Sequence, residues 1–415
     1  MNLPELKTPL WGDDIPYVAG LREKAGRILH HSGFPSAKTE AWKYAHFDIS
    51  SLSALQINTD VHHCDHDNCT CHRQPLPFSC YRLEFCDGQF LADHSDTIPG
   101  VYVKPLIEAL FDGETKTYLN KSFPIEKYPF AALNTLYLEQ GFMMIIERNT
   151  VLDQPIYISY HQSKSGYLNN MHNLILCESG SQAAIIEHFH CERANNYCNN
   201  IVNEIKLSAA AKLTHYVFEN ESVQSHHIEL NSIRQKENSS YQAFCLKKSG
   251  GFSRHESLLR LEQKEARAEV NGIYRVNGSS VSDITTDIYH LAPETFSDQL
   301  VKGVATDHGK AVFQGKIHIA PNAQKTEGHQ THHALLLSDT AEIDSKPELE
   351  IFADDVKCSH GSSCGDLDPE QLFYMQTRGF SQDDARNILI QAHLNEVLEK
   401  INHPLIKEWL KDQFF

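Results

Sequence analysis

The middle of this 415-residue chain is organised as a sequence repeat, and this repeat constrains the fold more than any other feature. Between Gly141 and Gly361, segments rich in β-branched and apolar residues return at intervals of roughly 27 residues, with short polar turns between them. One repeat therefore holds two strands and two turns. The first series of segments is Asn173–Glu178, Ile201–Leu207, His227–Leu230, Glu256–Leu261 and Asp283–Ile288, and the second series is Ala183–His188, Lys212–Phe218, Tyr241–Leu246 and Ala268–Tyr274.

Two β architectures are compatible with this pattern. The connections are too short to hold crossover helices, which disfavours a doubly wound α/β sheet. A β-sandwich with a strand every 8–12 residues remains open. A fixed period fits stacked rungs better, as in a parallel β-helix, where each strand packs on the equivalent strand of the next rung. We therefore expect a mainly β solenoid, whose two ends are open strand edges that must be capped or paired.

The regions on either side of the repeat have a different character. Residues 1–130 mix helical and irregular signals and include a Cys/His-rich loop at 61–73, residues 131–365 form the β region, and residues 366–415 look helical. Asp368 followed by Pro369 predicts a helix start, and Ser381 predicts a second one. We expect this C-terminal helical domain to offer apolar surface to the solenoid or to a partner.

Composition excludes several classes of function. The 37 basic residues against 54 acidic ones give a net charge of −17, which disfavours binding to nucleic acid or to an anionic membrane. The most apolar run, Phe142–Ile146, is far shorter than the roughly 20 residues that a membrane span needs. Asp13 and Asp14 stand where a signal peptide would be apolar, so we expect a cytoplasmic protein. Its 11 cysteines are then expected to be reduced thiols.

A thiol and an imidazole two positions apart are the sharpest candidate for chemistry. If residues 352–361 form a strand, Val356, Cys358 and His360 share one face, with Asp354 beside them if the strand is regular. This pair suits iron or zinc, and it also suits an activated thiol nucleophile. The alternative is a Cys packed as a small hydrophobic residue next to a hydrogen-bonded His.

Other motifs are weaker. Gly361–Gly365 matches the G-x-S-x-G of hydrolases, but that motif requires a strand, a sharp turn and a helix within an α/β sheet. The Cys/His-rich loop lacks a C-x-x-C pair and is either a metal site or a solvated insertion. Three histidines, His329, His332 and His333, precede a strand, on which at most two of them converge. The residues of the loop that we assign to a speculative metal site are Cys64, Cys69, Cys71 and His72.

No nucleotide site is predicted for this chain. The segment Gly309–Lys316 has one residue too many between its glycines for a P-loop, and Ile317 stands where a Ser or Thr should hold magnesium. If the work of the protein needs ATP, a partner must bind it.

Several segments together resemble a known family. Lys346–Gly361, Asp366–Tyr374 and Arg378–Gly379 closely resemble the signature of the SufB/SufD family of the Suf iron–sulfur cluster assembly system. Pro35–Tyr44, which reads PSAKTEAWKY, resembles the amino-terminal element of the SufD branch. The resemblance also includes Leu335–Asp339 and spans both ends of the chain.

The resemblance implies a fold and a set of partners. It implies a right-handed parallel β-helix flanked by N-terminal and C-terminal helical domains, within a SufB–SufC–SufD complex. In that complex a SufC-like ABC ATPase binds ATP and docks on the C-terminal helices, and a SufB-like homologue pairs through the end of the β-helix. A homodimer is expected when SufB is absent. For the ATPase-docking surface we predict Phe373, Tyr374, Arg378, Leu389 and Leu398.

The resemblance also implies roles for the candidate pair. The nascent cluster of this family is thought to form at the SufB–SufD interface, where His360 matches a SufD histidine and Cys358 matches the adjacent cysteine. We therefore expect a scaffold without enzymatic activity, which binds no cofactor stably and contacts iron or a transient Fe–S cluster at that interface. The competing hypothesis is a cytosolic β-helix enzyme of the polysaccharide-lyase type, with Asp283, Asp287 and Glu269 as its carboxylates.

Overall fold

The computed structural model of the protein describes residues 10–58, 75–191 and 194–415. The four candidate metal ligands of the Cys/His-rich loop, Cys64, Cys69, Cys71 and His72, lie outside these residues, and their role stays a prediction. No helix of the described ranges is both long enough and apolar enough to cross a membrane.

Strands are the most abundant element of the described chain, and those of the repeat region are about ten residues long. The strands are β1 Gln56–Ile57, β2 Tyr81–Cys86, β3 Gln89–Phe90, β4 Val101–Pro105, β5 Phe142–Ile146, β6 Ile156–Gln162, β7 Tyr167–Cys177, β8 Gln182–Cys191, β9 Cys198–Leu207, β10 Lys212–Asn220, β11 His226–Gln235, β12 Ser240–Ser249, β13 Phe252–Leu261, β14 Arg267–Val276, β15 Val281–His290, β16 Phe296–Ala305, β17 Lys310–Ile319, β18 Thr326–Leu336, β19 Glu342–Ile351 and β20 Val356–Gly365.

Helices occur at the two ends of the chain. The α-helices are α1 Pro16–Ser32, α2 Leu106–Ala109, α3 Pro129–Leu136, α4 Pro369–Thr377, α5 Gln382–Leu398 and α6 Pro404–Phe414, and short 3-10 helices lie at Glu40–Trp42, Ile49–Ala54, Ala92–His94, Thr115–Thr117 and Ile125–Lys127.

The strands form two sheets that make a parallel solenoid of about eight turns, as predicted. In sheet A the order is β19-β17-β15-β13-β11-β9-β7-β5-β4, and in sheet B it is β20-β18-β16-β14-β12-β10-β8-β6-β2-β3. Each rung gives one strand to each sheet, so the two sequence series correspond to the two sheets. The parallel pairing of β7 to β20 excludes the sandwich, whose neighbouring strands are antiparallel.

Inward-facing side chains of successive rungs lie in register and fill the solenoid. Much of the interior is apolar, and one row consists of asparagines at equivalent positions of β7, β9 and β11. The side-chain amide of Asn173 donates to Asn203 at 2.8 Å, and that of Asn203 donates to Asn231 at 2.9 Å. This ladder satisfies the buried amides that a purely apolar interior could not.

The two terminal regions cover the sheets. Trp42 and Phe130 of the N-terminal region pack on sheet A, and Trp409 of α6 packs on sheet B against Tyr157 and Phe218. Strand β2 belongs to sheet B and strand β4 to sheet A, and both precede residue 130. Each sheet therefore extends beyond the domain boundary that the sequence predicts at residue 130. Antiparallel pairs, β2 with β3 and β4 with β5, close that end of the solenoid.

The predicted helix starts of the C-terminal domain are present. The Asp368 carboxylate accepts from the backbone N–H of Glu370, and the Ser381 hydroxyl oxygen accepts from that of Asp384. Gly379, with φ of +94°, follows the end of α4. These caps satisfy N–H groups that have no partner within the helix.

Replacing the cap of α5 should destabilise the protein modestly. We expect Ser381→Ala to lower the free energy of unfolding by about 1 kcal/mol, because the backbone N–H of Asp384 loses its acceptor. Urea unfolding followed by circular dichroism measures this difference. The control Gln382→Ala, at the exposed first position of the same helix, should change stability by less than about 0.5 kcal/mol. Equal effects of the two substitutions would contradict the capping role.

Candidate functional site at the open end of the solenoid

No described residue adds a further rung beyond the last one of the solenoid. The last rung consists of β19, which pairs with β17, and β20, which pairs with β18. Within the described ranges, no strand pairs with the outer edge of either one. Such an edge presents a row of backbone donors and acceptors that can pair with another chain. One of the two open strand edges that the sequence predicts for the ends of the solenoid therefore lies at β19 and β20 among the described residues.

The candidate pair lies on this last rung and faces the inside of the solenoid. Cys358 and His360 stand beside Gly328 and Gln330 of β18, and Gln330 is buried among the inward-facing residues. Cys358 is half-buried, whereas His360 is exposed because no further rung covers it. The strand begins only at Val356, so Asp354 lies in the preceding turn and is not part of the row, contrary to the expectation for a regular strand.

The surroundings of Cys358 keep its thiol protonated. The residue packs with Ile317, Leu349 and Val356 in a small apolar cluster at the end of the solenoid. Burial raises the pKa of the Cys358 thiol, and the Gly328 backbone N–H only partly offsets this effect. At neutral pH the thiol therefore needs a metal ion or a nearby positive charge before it becomes a thiolate. The environment does not favour an activated nucleophile.

A chain of hydrogen-bonding groups leads from the interior to the same open end. His332 Nε2 lies 3.0 Å from the Tyr274 hydroxyl, and His332 Nδ1 lies 3.0 Å from Ser345 Oγ. Ser362 then donates to Ser345 at 2.8 Å. Burial lowers the pKa of His332 to about 4, so its ring is neutral. The neighbouring His329 and His333 occupy outward-facing positions of β18, so His332 does not converge with them.

In the described part of the chain, the candidate pair is not joined by a third metal-ligating side chain. Among the described residues, groups of three or more metal-ligating side chains include neither Cys358 nor His360.

The hydrolase alternative is not supported by the backbone. Gly361–Gly365 lie entirely within the extended strand β20, so Ser363 is not on the sharp turn that a nucleophile elbow requires. The Ser363 hydroxyl lies 2.6 Å from His333 Nδ1, on the outward face of the sheet.

The lyase alternative is not supported either. Asp283 is completely buried and forms an ion pair with Arg254, which in turn stacks on the Trp42 ring at 4.1 Å. Asp287 belongs to sheet A, whereas Glu269 belongs to sheet B. The three carboxylates therefore do not line one exposed sheet.

The predicted docking residues of the C-terminal helices fall into two groups. Phe373 and Tyr374 of α4 are 68% and 55% exposed, and the Arg378 guanidinium lies 5.1 Å from the Tyr374 ring. Leu398, in contrast, is completely buried among residues that attach α5 to sheet B, and Leu389 packs against the same cluster. Leu398 is thus wrongly predicted as a docking residue, because the face of α5 that carries it is occupied by the solenoid.

One cluster of potential ligands was missed by sequence reasoning. Glu219, Cys245 and His255 come together in the interior of the middle rungs, and so do Glu219, Glu221 and His227. These residues belong to four different strands, β10 to β13, or to the turn after β10. The sequence feature that could have identified them is a polar residue at an inward position of the repeat. Such positions can be recognised only once the register of the rungs is known.

Two family models match the chain and together cover most of it. The model described as "SUF system FeS cluster assembly, SufBD core domain" matches residues 160–393. The model described as "SufBD protein N-terminal region" matches residues 9–158.

Proteins with similar sequences bear related names. The "Iron-sulfur cluster assembly protein SufD" of Escherichia coli K12 is 29% identical over 386 residues, which cover 92% of this chain and 88% of that protein. A SufBD family protein of Synechocystis is 28% identical over 94% of this chain and 89% of its own length. "Protein ABCI7, chloroplastic" of Arabidopsis thaliana is 31% identical over 67% of this chain and 61% of its own length.

Proposed function

The chain belongs to the SufBD family of the SUF system, and from this premise we propose that it is a scaffold subunit for iron–sulfur cluster assembly. The observation that carries the proposal is the last rung, where the inward-facing side chain of His360 is not covered by a further rung of the described chain. A homologous solenoid, SufB-like, continues the stack by pairing with the edges of β19 and β20. The scaffold role also fits the buried or separated carboxylates that argue against a lyase.

The seam between the two solenoids is the proposed place of cluster assembly. His360 contributes a nitrogen ligand from its exposed position, and Cys358 contributes a thiolate once a metal ion lowers the pKa of its thiol. The partner supplies the remaining ligands. Iron or the nascent cluster is the cargo of this site and leaves it, so no cofactor is bound stably.

A SufC-like ABC ATPase docks on the exposed aromatic surface of α4, formed by Phe373, Tyr374 and Arg378. Every residue of this helix is at least partly exposed, whereas α5 and α6 bury residues such as Leu394 and Trp409 against the solenoid. ATP is bound by that partner. Because α5 rests on sheet B, movement of the helices on ATP binding is transmitted to the rungs beneath.

The docking surface gives a direct prediction. We expect Phe373→Ala to weaken binding of the SufC-like ATPase by about tenfold, because a largely exposed aromatic ring is a typical anchor of an interface. Titration calorimetry with the purified ATPase measures the affinity. The control Phe111→Ala removes a ring that is 61% exposed in the N-terminal region and should leave the affinity unchanged. Unchanged affinity of Phe373→Ala would place the ATPase elsewhere.

Two finer parts of the proposal concern assembly and location. Without a SufB-like partner, two copies of this chain pair through the same edges as a homodimer. The proposed location is the cytoplasm, a reducing compartment in which the cysteines of the chain stay thiols. Affinity purification from native cytosol tests the function as a whole: a SufB-like homologue and an ABC ATPase should be recovered together, and recovery of neither would contradict it.

A further inference from the structure

A second potential metal site lies inside the solenoid, away from the open end. In the middle rungs, a carboxylate oxygen of Glu219, the Cys245 sulfur and a ring nitrogen of His255 all lie within 4.8 Å of one another. All three residues are at least 96% buried. Tetrahedral coordination of zinc separates neighbouring ligand atoms by roughly 3.3–3.8 Å, so small side-chain rotations bring the three onto one ion.

The carboxylate of Glu219 is the observation that points to a ligand. The residue is 1% exposed, and within the described part of the chain neither of its oxygens has a hydrogen-bond partner. Lys247 is its neighbour in register on β12, yet the Lys247 ammonium donates to the Val281 carbonyl oxygen at 2.6 Å. A buried carboxylate without a hydrogen bond is costly, and binding to a cation removes this cost.

Neighbouring side chains form hydrogen bonds that orient the proposed ligands. His255 Nδ1 lies 3.0 Å from Glu229 Oε2, a contact that fixes the ring and leaves Nε2 as the metal-binding nitrogen. Nε2 lies 3.3 Å from the Asn231 amide, which an ion would displace. A carboxylate oxygen of Glu221 also lies within 4.8 Å of one of Glu219, but the Glu221 carboxylate already accepts from the Asn199 amide and contacts His227 Nδ1 at 2.9 Å.

We propose that Glu219, Cys245 and His255 form a closed site for a divalent first-row transition ion such as Zn²⁺ or Fe²⁺. A sulfur, a nitrogen and an oxygen ligand together suit these borderline ions and not Mg²⁺ or Ca²⁺. Binding of the ion releases the thiol proton of Cys245, so a divalent ion, the Glu219 carboxylate, the Cys245 thiolate and a neutral His255 imidazole together carry no net charge. Because the site is sealed, the ion enters while the chain folds and stabilises the middle rungs. This site is independent of the proposed function at the open end.

Metal content of the purified full chain tests this proposal. The parent carries Cys64→Ser, Cys69→Ser, Cys71→Ser, His62→Ala, His63→Ala, His66→Ala and His72→Ala, so that no cysteine or histidine of the Cys/His-rich loop can bind an ion. After expression in zinc-supplemented medium and dialysis against a chelator, elemental mass spectrometry should find about one zinc or iron ion per chain. Replacing a ligand should lower this content at least about tenfold.

Two ligand variants and one matched control complete the design. Cys245→Ser and Glu219→Gln should lose the ion, whereas Cys177→Ser, at another buried thiol of the same interior, should retain it. Should Cys245→Ser fail to fold, Glu219→Gln decides, because it replaces a buried carboxylate that lacks hydrogen bonds with a neutral amide of the same size and should not impair folding of the metal-free chain. Cobalt-loaded parent should also show a thiolate-to-metal charge-transfer band. A parent without bound metal, or a Glu219→Gln variant with the full content of the parent, would overturn the proposal.

Discussion

Val356→Lys should abolish assembly at the open end of the solenoid while leaving the chain folded. Val356 is half-buried at an inward position of the last rung, next to Cys358 and Leu349. In the free chain, a lysine at this position reaches solvent through the open end. In the assembly, its charge would be trapped between two stacked rungs, which is how natural edge strands resist pairing. We expect the affinity for the SufB-like partner to fall at least about a hundredfold, or about 3 kcal/mol.

Sedimentation velocity of the mixed proteins measures this affinity, and thermal unfolding checks the fold. The matched control is Ser359→Lys, which adds the same charge to the same strand but on the outward face, where the side chain is exposed. This control should bind within about threefold of the unchanged chain, because outward side chains are not enclosed between rungs. Normal binding by Val356→Lys would show that the partner does not stack on the last rung.

His360→Ala should leave the fold and the assembly intact but reduce cluster formation about a hundredfold, because the seam loses a metal ligand. The His360 side chain is exposed on the last rung, so its removal opens no cavity in the core. Iron and sulfide content of the purified complex, together with the activity of cluster-dependent enzymes in cells, measures the effect.

A histidine on the neighbouring strand serves as the control. His333→Ala removes an imidazole from the outward face of β18, where Nδ1 contacts Ser363. It should support cluster formation at the normal level. Equal losses in the two variants would indicate a general effect of histidine removal, and full activity of His360→Ala would remove this residue from the mechanism.

The solenoid could be predicted because its physical cause is visible along the chain. A rung buries the same inward positions each time, so apolar and β-branched segments such as Ile201–Leu207 must return at a fixed interval. The helix starts at Asp368 and Ser381 could be predicted for a similar reason, since capping depends on the first few residues alone. The row of Val356, Cys358 and His360 followed from the alternation of a strand.

Contacts between distant segments could not be predicted in this way. Helix α5 carries apolar residues on more than one face, and only packing on sheet B shows that Leu398 is buried while Ile388 is 37% exposed. The Glu219, Cys245 and His255 cluster depends on the register between β10, β12 and β13, which the sequence does not state. The different burial of Cys358 and His360 likewise depends on where the stack ends.

Hydrogen–deuterium exchange of this chain, free and bound to its SufB-like homologue, tests most directly whether the last rung is the seam of the complex. The backbone amides of Glu342–Ile351 and Val356–Gly365 lie on edges that have no neighbour within the described chain. If a second solenoid stacks there, both segments should exchange much more slowly in the complex, while the antiparallel strands at the opposite end remain unchanged. Unaltered exchange of both segments in a complex of proven affinity would contradict the account.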